Sequence, residues 1–138
     1  MKKLILIGVL GGIVVLIIGM LTGQIFQRLF PALTTEYQNV HLFRTWSDPV
    51  MLMYFVHPFF FGIAFAWVWK RTNTLFAADT DLQKAFRFGF ASWMVSTVPG
   101  MMISYASFAI SPLMVLSWTV SALIEFICLG LLFSRTMK

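Results

Sequence analysis

The sequence predicts an all-α fold: a four-helix transmembrane bundle with both termini cytoplasmic. Three observations carry this expectation. Hydrophobic residues make up 59% of the chain and charged residues only 11%. Soluble domains carry about 25% charged residues, so a water-facing surface cannot be assembled from this inventory. Four apolar runs follow one another, each as long as the roughly 20 helical residues that cross a hydrocarbon core. Finally, the basic residues gather at alternate connections, the pattern that orients helices in a bilayer. The same inventory excludes a soluble enzyme, a disordered tail and a nucleic-acid-binding module, despite a net charge of +5. A chain of 138 residues makes one integral membrane domain.

The elements follow in order. Lys2-Lys3 precedes a first helix over residues 4–28. Its apolar run is longer than a signal-peptide core and no small-x-small cleavage site follows, so it reads as an uncleaved membrane helix. Pro31 stops it. Ser47-Asp48-Pro49 opens a second helix over 49–69, with a capping side chain followed by proline at the first helical position. That helix ends on Lys70-Arg71. Thr80-Asp81-Leu82-Gln83 fits a capping box for a third helix over 82–109. Ser111-Pro112 starts a fourth over 112–134, and the tight turn before it makes the last two helices an antiparallel hairpin. A transmembrane barrel would require alternating polar positions, which are absent.

Pro31 to Asp48 is the longest connection. Thr35-Glu36-Tyr37-Gln38 predicts the cap of a short amphipathic helix, with Leu33, Tyr37 and Val40 on one side, lying on the outer membrane surface. Lys2, Lys3, Lys70, Arg71, Lys84, Arg87, Arg135 and Lys138 fall on one side of the predicted membrane, and only Arg28 and Arg44 on the other. The positive-inside rule makes the first side cytoplasmic and the location a cell membrane of the bacterial inner-membrane type. Trp46 then lies at the outer boundary, Trp67 and Trp69 at the inner one, and Arg87 is expected to snorkel to the inner headgroups.

Two stripes of small residues stand out. Gly8, Gly12, Gly19 and Gly23 fall within roughly 60° of one another on the first helix. Small residues at this spacing let backbones approach in lipid, so they predict a helix-packing or dimer face. Gly89, Ser92, Ser96, Gly100, Ser104 and Ser107 form a second stripe on the third helix.

Glu125 is the one acid within an apolar span. It lies about 15 Å from Arg135 along the helix. A carboxylate at that depth costs at least about 2.5 kcal/mol to insert, so it must be protonated, paired or facing water. His57 precedes Pro58, which kinks the second helix, and Pro99-Gly100 is expected to break the third. These depths predict one small polar cavity enclosed by Glu125, His57, Ser96, Thr97 and Ser121. Cys128 is the only cysteine, which excludes an intrachain disulfide. No metal-ligand spacing, phosphate loop or nucleophile–base motif occurs, and no cofactor or catalytic residue is expected.

The first functional reading is a non-enzymatic structural or accessory subunit, with the bilayer, a second copy or another membrane protein as partner and no nucleic acid. The alternative is a proton-coupled small-solute transporter using Glu125 and His57, because a membrane carboxylate with a histidine is the minimum equipment for proton exchange. A third is an intramembrane or lipid-processing enzyme.

Overall fold

The computed structural model describes residues 1–137, so Lys138 lies outside the described residues. Among the described residues five α-helices form: α1 (Lys2–Leu29), α2 (Pro31–Tyr37), α3 (Leu52–Thr72), α4 (Asp81–Ser107) and α5 (Pro112–Thr136). Short 3₁₀ turns, Pro49–Met51 and Asn73–Phe76, flank α3. The boundaries are set locally. Asp48 accepts a hydrogen bond from the Val50 N–H at 2.9 Å, Thr80 from that of Gln83 at 3.2 Å, and Ser111 from that of Met114 at 3.1 Å. Each satisfies an N–H that the first turn leaves without a partner.

Among the described residues three segments are long and apolar enough to cross a membrane: Lys2–Leu29, Pro49–Phe76 and Pro112–Thr136. The helix α4 matches them in length, but Ser92, Ser96, Thr97, Ser104 and Ser107 dilute its apolar character. Hydroxyls on it turn back onto its own backbone, Ser96 to the Ser92 carbonyl at 2.7 Å and Ser104 to that of Gly100 at 2.8 Å. Contrary to expectation, α4 runs through Pro99-Gly100 without a break. Proline removes one donor, whereas ending the helix there would strand several backbone groups in apolar surroundings.

The helices pack as an open row in the order α3, α1, α5, α4. Gly62 sits directly on the α1 backbone beside Gly8, Gly11 and Gly12. Gly89 lies on the Phe126–Ile127 backbone, and Gly130 on that of Ala85, seating α4 against α5. The row is tied together at the end that carries both termini. There Ile7, Val15, Ala66, Trp69, Phe88, Leu129 and Phe133 form one buried cluster, in which the Trp69 ring meets Phe88 edge-on at 4.9 Å. Toward the other end α3 and α5 hardly touch. The outward face of α1 exposes Leu6, Leu10, Ile13, Ile17, Leu21 and Ile25, a continuous apolar surface of the kind that meets lipid.

Two local expectations are corrected. Pro31 does not merely stop α1; it is the first residue of α2, a position where its missing N–H costs nothing. The helix therefore starts four residues before Thr35 and points Leu33 inward at 1% exposure, while Val40 is 65% exposed and off that face. Glu36 crosses to the start of α5 and accepts from both the N–H and the hydroxyl of Ser111, each at 2.6 Å. The segment is thus bolted to the bundle. Leu33, Ile110 and Met114 form a second buried cluster there, with Phe26, Tyr37 and Trp118 packed around it. Arg87 donates to the Ala77 carbonyl in the α3–α4 connection.

Candidate functional site

Between the two clusters the divergence of α3 from α5 leaves a cleft of about 660 Å³. Its α5 wall carries Ser117, Ser121 and Glu125, spaced by four residues and therefore on one helix face. The α1 wall presents Gly19, Gly23, Gln24 and Gln27, and Tyr54 and Phe55 come from α3. Tyr37, Phe43, Arg44 and Trp46 rim its far end from α2 and the following loop, and Trp118 from α5. Glu125 lies at the floor, about 10 Å along α5 below Trp118. On the terminal side of it, the Phe126 ring packs at 5.2 Å from Phe61 and 4.8 Å from Phe65. That aromatic layer closes the gap between α3 and α5 on the terminal side, so the cleft lies toward the end opposite the termini.

Glycine shapes the α1 wall in two different ways. A Cβ at Gly19 would lie 2.8 Å from Oε1 of Glu125, so the missing side chain is where the carboxylate rests. At Gly23 a Cβ would meet nothing within 4 Å, and this glycine widens the cleft. The four-glycine stripe is therefore divided: Gly8 and Gly12 admit α3, whereas Gly19 and Gly23 belong to the cleft.

Of the five residues expected to share a polar cavity, the structure brings together Glu125 and Ser121. His57 stays outside, exposed, with its ring 5.6 Å from Phe61. Ser96 and Thr97 stay outside because α4 packs along α5 and scarcely meets α1 or α3. Gln24, Gln27, Tyr54 and Trp118 line the cleft without having been singled out in the sequence. The two glutamines carried a usable signal, being amides on an otherwise apolar helix next to its glycine stripe. Trp118 carried none, since only the docking of α2 brings it to the rim.

The electrostatics are simple. Glu125 makes no hydrogen bond or ion pair among the described residues. The titratable groups closest to it are Tyr54 and Cys128, and α1 contributes none to the cleft. The single base of the lining, Arg44, is held by Asp48 at 2.6 Å. The Val50 N–H, and then Arg44, hold the Asp48 carboxyl below its ordinary range. Burial raises the Tyr37 hydroxyl above the usual tyrosine value, opposed by the hydrogen bond it accepts from the Trp118 indole N–H. Among the described residues no three His, Cys, Asp or Glu side chains gather as a metal site.

No family model matches this chain, and no curated protein or solved structure is similar to it. The cleft itself supplies one carboxylate, neutral hydrogen-bonding groups and a large aromatic surface. Groups of these kinds can bind and orient a guest and exchange a proton. With His57 outside, the serines at the cleft wall have no base beside them, and Ser117 already donates to the Met114 carbonyl at 2.7 Å.

Proposed function

We propose that the protein is a non-enzymatic multi-pass membrane protein that binds a small solute in this cleft, with Glu125 as its proton-exchanging group. The observation that carries the reading is the placement of Glu125: it faces an open cleft and has no side-chain partner among the described residues. A buried carboxylate whose task was to lock the bundle would be hydrogen-bonded to a neighbouring helix. In this reading α4 supplies a fourth crossing, since its 27 residues span about 40 Å. Both termini are cytoplasmic, because Lys2, Lys3, Lys70, Arg71, Lys84, Arg87 and Arg135 share the terminal end while Arg28 and Arg44 lie at the other. The cleft then opens outward, and proton exchange proceeds without His57.

Infrared spectroscopy of proteoliposomes tests this without knowledge of the solute. With external pH varied, wild-type protein is expected to show a carboxyl band that titrates and that Glu125→Gln abolishes. A carboxyl band insensitive to pH on either side overturns the proton-exchange role. Labelling that finds either terminus outside overturns the orientation. A second reading, a subunit of a homo- or hetero-oligomer, is favoured by one observation: beyond its first turns, which meet α3 and the α3–α4 connection, α4 is covered among the described residues on its α5 side alone. Its mark would be an assembly larger than the monomer in detergent, lost when Val95 and Met102 on the open face become polar.

A further inference from the structure

Resting on the solute-binding reading, we infer that the cleft selects a hydrophobic organic cation, an ammonium carried on an apolar frame. Within the cleft lining, the charges leave one acid, Glu125, without a counter-ion among the described residues. Arg44 is paired with Asp48 at 2.6 Å, and Glu36 is held by Ser111 outside the lining. The groups nearest the carboxylate, Ser121, Tyr54, Cys128 and the Gly19 backbone, are neutral. An ionised Glu125 in these surroundings is compensated only by a cation that enters from outside. An anion is repelled by the floor, and a neutral guest leaves the carboxylate desolvated without compensation.

The walls point the same way. Two sets of three rings flank the cleft. In one, Tyr37, Phe43 and Trp118 pack with Tyr37–Phe43 at 5.5 Å and Phe43–Trp118 edge-on at 6.2 Å. In the other, Trp46 lies edge-on to Tyr54 at 5.6 Å and 6.3 Å from Phe55. Ring faces attract cations electrostatically, most strongly where water is displaced, and they also cover an apolar frame. A volume of about 660 Å³ lies within the range of small-molecule sites. Ring walls lead down from the mouth to a single acid at the floor, so an amine enters charge-first and leaves its apolar part among the aromatics.

The experiment compares three probes on one frame, 4-phenylbutyl-trimethylammonium, 4-phenylbutanol and 4-phenylbutanoate, with full-length protein in neutral maltoside micelles. Binding is read by calorimetry and by the tryptophan emission of the cleft. The cation is expected to bind saturably and about tenfold or more tighter than the other two. Glu125→Gln is expected to erase that preference. Should that variant fold poorly, Gly19→Ala keeps the charge but displaces the carboxylate, and is expected to weaken the cation alone by several-fold. Equal or tighter binding of the alcohol or the carboxylate overturns the cation assignment and leaves solute binding standing. Absence of saturable binding by all three also overturns it if the infrared band still titrates, whereas a silent band brings down the proton-exchange reading itself. Added phosphatidylethanolamine separates two sources of the same chemistry: competition with the cation supports an amine lipid as occupant, and no competition supports a free amine.

Discussion

An alanine at Gly62 would set its Cβ against the Gly8 carbonyl oxygen and the Gly12 nitrogen, with the Gly11 carbonyl carbon 2.9 Å away. All three obstacles are backbone, so no rotamer change relieves them. Comfortable carbon contacts lie at about 3.5–4.0 Å, and α1 and α3 must therefore separate by roughly 1 Å. Forced overpacking of this kind costs about 1–3 kcal/mol. Alanine in place of a helical glycine returns about 0.5–1 kcal/mol through backbone entropy, so the net loss is at most about 2.5 kcal/mol. Gly100 is the internal control, because a Cβ there meets nothing within 4 Å. Gly100→Ala should then show the entropic gain alone, and the two variants should differ by about 1–3 kcal/mol. Reversible unfolding in mixed dodecyl sulfate–maltoside micelles, followed by tryptophan fluorescence, measures that difference. If Gly62→Ala proves as stable as Gly100→Ala, α1 and α3 do not meet backbone to backbone.

Other outcomes follow from the far-end cap. Glu36→Gln exchanges a charged acceptor for a neutral one at Ser111 and should cost about 1–2 kcal/mol. Hydrogen exchange should accelerate across residues 31–37 and the first turn of α5, and unchanged rates would remove Glu36 from this role. Tyr37→Phe deprives the Trp118 N–H of its acceptor at a cost of about 1–3 kcal/mol, and an unaltered melting temperature would show that bond to be dispensable. The raised Tyr37 pKa predicts a contribution present below the ordinary tyrosine range and lost as pH rises through the higher folded value. For Asp48 the sign is opposite: its depressed pKa gives a contribution present above the ordinary carboxylate range and lost as pH falls through the lower folded value. The Val50 amide resonance should therefore shift with a midpoint below that of a free aspartate; a midpoint at the free value would refute the bond.

Helix positions were legible because their causes are local. Asp48-Pro49, Thr80 with Gln83, and Ser111-Pro112 begin helices where expected, each through one side chain and its own backbone. Pro31 was legible as a boundary yet misread as a terminus, since proline both ends one helix and suits the first position of the next. The site was legible only in part. Glu125 and Ser121 share a face by helical periodicity, whereas His57, Ser96 and Thr97 were grouped with them by depth alone. Depth in a bilayer says how far along its axis a residue lies, not which way it faces.

The amino-acid sequence alone settled that this chain is helical and apolar enough to cross a membrane, and it singled out Glu125 as the one acid within an apolar span. Only the tertiary structure decided what Glu125 faces. Helices that are apolar on every side carry no amphipathic signal to set their rotation. Rotation and neighbour are set instead by where backbones can touch, at Gly8, Gly12 and Gly62 for α1 with α3, and at Gly89 and Gly130 for α4 with α5. Those contacts place α4 to one side and let α3 and α5 part above the Phe61–Phe65–Phe126 layer. The cleft over Glu125 is the space that results.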